Sequence, residues 1–329
     1  MNKFGKYFEG KPIVVTGASG FIGSNVVRSL ELAGARTLAL VRPSSDLWRL
    51  QSLNQETSVL SVPLEDQHGL KKLFQIERPE HIIHCAAPIH LSLIEVDQLS
   101  HNQLIADNHL INIFKANNDV GGTLASFVHI CSSTIYDWSP DRYILSENTA
   151  LNPATLRGKL KLSQLNTCIG LAEKNEIPLR VGRIFRAYGP WDFNDRFINR
   201  ALNAAFGGAA VPLGDGSFKR DYVHVNDICN GILGLIEDNS LATISLNFGS
   251  GVDHSPSEVI QIIESILDRK IPVIRGTFPK NIMDRGRYKA DISLAKSILG
   301  WEPSFNLTEG LKQTINWYKD FFKVEINDD

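Results

Sequence analysis

The sequence predicts an α/β protein, a doubly wound parallel sheet with a smaller C-terminal region. Three observations carry that prediction. Short, almost wholly apolar strands alternate with helical segments over residues 1–185. The first strand runs into a glycine-rich turn, "VVTGASGFIGS". From residue 186 onward the alternation loosens into stretches rich in Gly, Pro, Asp and Ser. Strands that are apolar on both faces and joined by helices imply right-handed βαβ crossovers and a sheet covered on both sides.

The elements follow in order. "PIVVTG" is a β-branched run ending in glycine, a buried strand. "GFIGSNVVRSLELAGA" spaces its apolar residues as a helix does and stops at Gly34. "RTLALV" and "SVLSVPL" are the second and third strands, and "GLKKLFQIERP" is a helix closed by proline. "HIIHCAA" is the fourth strand, "LSHNQLIADNHLINIFKANN" a long helix and "SFVHICSS" the fifth strand. "RGKLKLSQLNTCIGLAEKN" is a helix and "IPLRVGRIF" the sixth strand. "YGPWDFNDRF", "PLGDGSFKRD" and "SGVDHSPSE" read as loops framing a site. The final "VEINDD" reads as a frayed acidic tail.

Composition narrows the function classes. Of the 329 residues, 43% are hydrophobic and 21% charged, with a net charge of −2, as in ordinary soluble proteins. No long basic run favours nucleic acid, no window approaches a membrane span, and the start has no apolar stretch fit for a signal peptide. Cys85, Cys131, Cys168 and Cys229 show no CxxC spacing and read as reduced core thiols of a cytoplasmic protein. The nine histidines form no HxxxH or HExxH pair, so no metal site is expected.

Gly17, Gly20 and Gly23 stand between a strand and a helix. Glycine there permits a tight turn, close approach of backbone to a pyrophosphate and close helix–strand packing, while the helix N-terminus faces the negative charge. The expected unit is a Rossmann-type dinucleotide site; a structural turn without a ligand is the plainer alternative. The second strand ends in "LALVRPSS", where an acid would hold the ribose hydroxyls of NAD and an arginine admits the 2′-phosphate of NADP. Arg42 occupies that place, followed by Ser44 and Ser45, and so NADP is favoured over NAD. A solvated arginine at a strand end is the plainer alternative.

Taken together, "TGASGFIG", "HCAA", "CSSTIY", the helix bearing Lys161, "GRIFRAYGP", "GDGSFKRDYVHVNDI", "NFGSG" and "ADISLAKSILGWEP" form an ordered series. Over nearly the whole chain they resemble the extended short-chain dehydrogenase/reductase family, in its nucleotide-sugar epimerase/dehydratase branch. The resemblance implies a dinucleotide-binding domain over 1–185, with 221–250 returning to its sheet, and a substrate-binding region from 186–220 and 251–329. It implies a nucleotide-sugar substrate and a homodimer joined through helices 100–118 and 158–174. Ser132 matches the catalytic Ser/Thr, and Lys161 the lysine that binds the nicotinamide ribose and activates a tyrosine. Cofactor contacts so implied are Gly17, Ser19, Gly20, Phe21, Ile22, Gly23, Arg42, Ser44, Leu64, Ala86, Ala87 and Lys161. On the substrate side stand Thr134, Arg186, Arg220, Arg287 and Tyr288, Arg220 matching a diphosphate-binding arginine.

Four departures from the family pattern matter. "RGKLKL" puts Arg157 where the catalytic tyrosine belongs, four residues before Lys161. Arg186 replaces an asparagine two places before the "YGP" tyrosine, Pro63 an aspartate in "VPLED", and Asn281 a phosphate-binding arginine. An alternative register pairs Thr155 with Lys159, but the distance from Lys161 to "YGP" favours Arg157 with Lys161.

Residues four apart share a helix face, so Arg157 and Lys161 reach the same side. A tyrosine there cycles a proton because a neighbouring cation pulls its pKa of about 10 toward neutrality. A guanidinium stays protonated and offers donors only. It can stabilise an oxyanion or pair with an anionic substrate group. As a plain surface residue near a helix N-terminus it opposes the dipole. Tyr136, Tyr143 and Tyr188 are other phenols near the motifs, while His84 and His129 read as satisfied core histidines. The leading expectation is NADP-dependent modification of a nucleotide-linked sugar, by reduction of a 4-keto-6-deoxy sugar. The alternatives are an epimerase or dehydratase with a displaced acid/base, and a non-redox enzyme or non-catalytic cofactor-binding relative.

Overall fold

The computed structural model describes residues 4, 6–51, 53–54, 57–87, 98–137, 143–192, 196–214, 218–237, 242–276 and 286–323. The first half runs β1 (Pro12–Thr16), α1 (Phe21–Leu32), β2 (Arg36–Val41), β3 (Ser58–Ser61), α2 (Gln67–Glu77), β4 (His81–His84), α3 (Leu99–Asp119) and β5 (Ser126–Ser132). β6 (Ile144–Leu145), α4 (Leu156–Lys174) and β7 (Leu179–Ile184) follow. The second half comprises β8 (Arg186–Tyr188), α5 (Phe197–Ala205), β9 (Val211–Leu213), β10 (Lys219–His224), α6 (Val225–Glu237) and β11 (Ile244–Phe248). It ends with β12 (Asp253–His254), α7 (Pro256–Leu267), β13 (Val273–Arg275), β14 (Arg287–Ala290), α8 (Ser293–Leu299) and α9 (Leu307–Phe322).

Seven parallel strands form the main sheet in the order β11-β7-β5-β4-β1-β2-β3. The chain winds outward from β1 to β3, then crosses to β4 and winds the other way. The crevice at the C-terminal ends of β1 and β4 is therefore the switch point where ligands of such sheets bind. Alternate strand residues feed two cores. Ile13, Val15, Val128 and Ile130 pack with α1 and α6, and Val14, Ile82, Phe127 and Cys131 with the α2–α4 side. β3 departs from the expectation of a buried strand, since Val59 is 39% exposed. As an edge strand it pairs on one side only.

Of the stretch 221–250, β11 joins the main sheet beside β7, whereas Asp221–His224 belongs to β10 of a smaller sheet, ordered β12-β10-β14-β6 with β8 also on β10. A third core, including Leu202, Tyr222, Ile263, Leu311 and Tyr318, holds α5, α7 and α9 beneath that sheet. Asp227 of α6 ties in the C-terminal segment. Its carboxylate accepts from Ser304 N (2.9 Å) and Phe305 N (3.2 Å), and its carbonyl from Trp301 Nε1 (2.9 Å). Asp227→Ala strands two backbone donors and is expected to lower stability by about 2–4 kcal/mol, read from the urea midpoint. An unchanged midpoint would show that the segment is held elsewhere. Among the described residues no helix is long and apolar enough to cross a membrane.

Candidate active site

The glycine-rich turn closes on the switch point. Gly17 has φ +64°, and a Cβ there would lie 2.7 Å from the Ala86 amide nitrogen just after β4. A Cβ on Gly23 would collide with the Gly17 carbonyl oxygen, so α1 can approach the turn only as glycine. Gly20 caps α1 without a side-chain partner, and the first turn of α1 holds no acid. Its free N–H groups and positive dipole end form a cradle that fits a dinucleotide pyrophosphate. Ser19, Phe21 and Ile22 complete the turn: Ser19 O accepts from Arg49 Nη1 (3.4 Å), Phe21 is buried, and Ile22 packs on the core.

The other expected cofactor residues flank this crevice. Arg42 and Ser44 are exposed in the turn after β2, where Arg42 N donates to Ser45 Oγ at 3.1 Å. Leu64 is buried beyond β3, and Ala86 and Ala87 are half-buried beyond β4, with Ala86 N donating to Thr16 Oγ1. Pro63 carries no carboxylate toward the crevice, and the two acids that follow are engaged elsewhere: Glu65 pairs with His109 Nε2 (2.7 Å) and Asp66 caps α2 through Gly69 N.

Beside the turn lies the unusual position. β5 ends at Ser132, whose Oγ accepts from Thr134 N (3.3 Å) and Thr134 Oγ1 (3.0 Å). α4 starts at an N-cap, Thr155 Oγ1, which accepts from Gly158 N (3.1 Å). A Cβ on Gly158 would collide with the Thr134 carbonyl oxygen, so the first turn of α4 rests directly on Ser133–Ile135. That packing brings Arg157 to the edge where Ser132 sits. Lys161, one turn on, is buried and donates to Ile130 O at 3.1 Å. Burial lowers its pKa, partly offset by Cys131, and Arg157 lowers it further. In the alternative register Thr155 is spent as a cap and Lys159 is exposed.

Arg157 is open to solvent along the crevice yet stands amid dense protein. Among the described residues it makes no hydrogen bond or ion pair, and its pKa falls to about 10, first through desolvation, then through repulsion by Arg196 and Arg186. It remains a cation at neutral pH. Arg186, exposed at the start of β8, has its guanidinium 5.9 Å from the Tyr222 ring centroid and no carboxylate partner among the described residues. Arg196 lies over the Phe21 ring at 5.3 Å, with Nε 3.6 Å from Asp192 Oδ1. Burial raises Asp192 to about 6 against the pull of Arg196 and Arg49.

The remaining expected residues are engaged by other protein groups. Arg220 is interior, 1% exposed, its guanidinium 4.7 Å from both the Phe218 and Tyr288 rings and bonded to Lys219 O and Gly286 O. Arg287 is held bidentately by Asp253 at 2.7 and 2.8 Å. Tyr136 is sealed in: its hydroxyl donates to Asn247 Oδ1 (2.6 Å) and accepts from Arg183 Nη1 (2.9 Å), and burial pushes it to about 12. Tyr188 is buried and shifted up by burial, while Tyr143 is exposed against Arg287. His84 bonds Thr16 Oγ1 through Nδ1 (2.9 Å), but its Nε2 and both His129 nitrogens have no hydrogen-bond partner, correcting the expectation of satisfied histidines. Their ring neighbours in the sheet are Phe127, against His84, and each other. Asn281 lies outside the described residues.

Sequence reading missed Arg49, Trp191 and Arg196. Arg49 Nε donates to Trp191 O (2.7 Å), and Trp191, at φ +69°, lies beneath the Arg28 guanidinium at 3.7 Å. These contacts strap the segment after β8 over the glycine turn. No periodicity marks them, because they join loops more than a hundred residues apart.

The comparisons agree with this geometry. The profile of the NAD dependent epimerase/dehydratase family matches residues 13–249. A dTDP-glucose 4,6-dehydratase from Xanthomonas campestris pv. campestris is 25% identical over 324 residues, covering 93% of this chain and 92% of the relative. A UDP-glucuronate 4-epimerase from Thermodesulfobacterium geofontis is 28% identical over 324 residues, covering 93% and 96%. The solved structure of an epimerase from Methanothermobacter thermautotrophicus superposes with a TM-score of 0.87 at 25% identity, covering 98% of this chain and 96% of that one. With the glycine cradle at the switch point, the Ser132–Lys161 edge and a profile match across the main sheet, this chain belongs to the NAD dependent epimerase/dehydratase family.

Proposed function

We propose that the protein reduces a keto group on a nucleotide-linked sugar and takes NADPH in preference to NADH. The observation that carries this is the donor-only guanidinium of Arg157 at the position where the family pattern has a phenol. The glycine turn at Gly17, Gly20 and Gly23 would hold the reduced dinucleotide, whose chemistry would be that of a hydride donor to the carbonyl carbon. The chain's own part is to receive the developing negative charge on oxygen. Arg157 and Ser132 supply donors for that oxyanion, and the Ser132 proton, replenished by water, completes the alcohol. Oxidation would return the hydroxyl proton along the same Ser132–water route, without help from Arg157, which accepts none, or from Tyr136 and Tyr188, which are buried with raised pKa values. Reduction, which only has to deliver a proton to an alkoxide, is the direction this donor set favours.

The test follows nicotinamide absorbance with UDP- and dTDP-linked 4-keto-6-deoxy sugars, the class to which the sequence leads, and their keto-uronate counterparts. Oxidation of NADPH that slows in Arg157→Ala and stops in Ser132→Ala is expected. Tight NADPH binding without oxidation of any substrate would overturn the reductase reading in favour of a non-redox enzyme or a cofactor-binding relative. Cofactor choice rests on Arg42, exposed where β2 ends. Arg42→Asp is expected to cut the NADPH-over-NADH preference by at least about tenfold, since it replaces a phosphate partner with a repelling charge. An unmoved ratio of the two kcat/KM values would return the choice to NADH.

A further inference from the structure

We infer that the sugar accepted by this crevice carries a carboxylate on its exocyclic carbon, and that Arg157 and Arg186 hold it. The inference rests on the nucleotide-sugar reading above and concerns the chemistry of the sugar. Three guanidiniums meet at the C-terminal edge of the main sheet. Arg157 is fixed there by the seat of α4 on Ser133–Ile135, and Arg186 by the pairing of β8 with β10, two residues beyond the end of β7, where Ile184 registers with Ser132. Arg196 stands over Phe21 of the glycine turn. Among the described residues, only Arg196 of the three has a carboxylate beside it, Asp192. Arg157 and Arg186 have none among the described residues, although both are open to the crevice.

Like charges held together without a counter-ion raise the energy of the unliganded state. A guanidinium pair that is accessible, planar and unpartnered is matched to a carboxylate, which accepts two parallel N–H bonds. The five donors of Arg157 let one edge take the carboxylate while another N–H faces the carbonyl oxygen. The nucleotide diphosphate is the other anion available. It fits less well, because Arg157 stands at the Ser132 end of the crevice, and a diphosphate there would carry the sugar past the hydroxyl that serves it. A methyl group, as in a 6-deoxy sugar, leaves both cations unpaired and desolvated.

The test is binding rather than turnover. Isothermal titration of the NADP-saturated protein with UDP-glucuronate, UDP-glucose and UDP, and with the dTDP-linked set, separates carboxylate from diphosphate recognition. The glucuronate form is expected to bind at least about tenfold tighter than the glucose form. Arg157→Ala and Arg186→Ala should each erase most of that ratio while changing UDP affinity by less than about threefold, and Arg157→Lys should restore part of it. Because each variant removes a repelling cation, its ligand-free thermal midpoint should hold or rise, which confirms folding. Equal binding of acid and neutral sugars overturns the inference, as does an equal loss of UDP and UDP-glucuronate affinity in the variants, which would assign the arginines to the diphosphate. If no nucleotide or nucleotide sugar binds, the parent reading falls and takes the inference with it.

Discussion

Lowering the pH from 7 to 5 is expected to remove on the order of 6 kcal/mol of folding stability, most of what a domain of this kind holds. Among the described residues, burial holds His81, His84, His129 and His224 neutral. Burial is the leading cause in each: it lowers His81 and His84 to about 3, His224 to about 4, and His129 well below its ordinary value. Lys11 and Arg180 add to the effect at His81, and Lys161 at His84 and His129. In the unfolded chain the same groups take protons below about 6.5. The unfolded state thus binds more protons throughout the window from about 6.5 down to the folded values, so stability is complete above it and drains as the pH falls through it. At pH 5 the three groups with stated values each lose about 2 kcal/mol, and His129 adds to the same side.

Asp192 works the other way. Its folded value of about 6 lies above the ordinary carboxylate range, so protonation on acidification favours the folded state, by about 1 kcal/mol at pH 5. The histidines win by number. Urea midpoints taken at half-unit steps from pH 8 to 5 should fall steeply below 6.5, and His129→Leu should flatten the slope. That imidazole has no hydrogen-bond partner to lose, and an apolar group fits the Phe127 side of the sheet. A midpoint constant to pH 5 would mean that these rings charge freely in the folded protein.

Gly23→Val should abolish measurable dinucleotide binding and lower stability, by the second-largest effect. Even a methyl at Gly23 would collide with the Gly17 carbonyl oxygen and lie 2.9 Å from the Gly17 carbonyl carbon and 3.0 Å from Ala18 Cα. All three are backbone atoms, so no flexible side chain can yield. Either α1 moves away or the turn opens, and both spoil the N–H cradle. Gly23→Ala is expected to cost about 2–3 kcal/mol, to lower the thermal midpoint by roughly 5 °C and to weaken NADPH binding by about a hundredfold or more. Gly170→Ala is the contrast. That glycine lies inside α4 with nothing within 4 Å of the added carbon, and the substitution should stabilise by about 0.5–1 kcal/mol through helix propensity alone. Fluorescence titration of NADPH and thermal melts check both; Gly23→Ala binding within tenfold of the parent chain would show that the turn tolerates displacement.

What the sequence determined by itself is local. The strand–glycine–helix unit, the alternation that makes the sheet parallel, and the four-residue spacing of Arg157 and Lys161 are written in neighbouring residues, because period, turn chemistry and helix geometry act over one or two turns. The choice between registers rests on the distance from Lys161 to "YGP", and the structure adds that Thr155 is the N-cap of α4. What the tertiary structure alone decided is which distant side chains meet. Arg186 and Arg196 reach Arg157 through the pairing of β8 with β10 and the strap of the segment after β8 over the glycine turn. Tyr136 is buried with its hydroxyl bonded to Arg183 and Asn247, and Arg220 is drawn inside between Phe218 and Tyr288. Contacts across such separations are set by how sheets and helices stack, and they leave no period in the chain from which to read them.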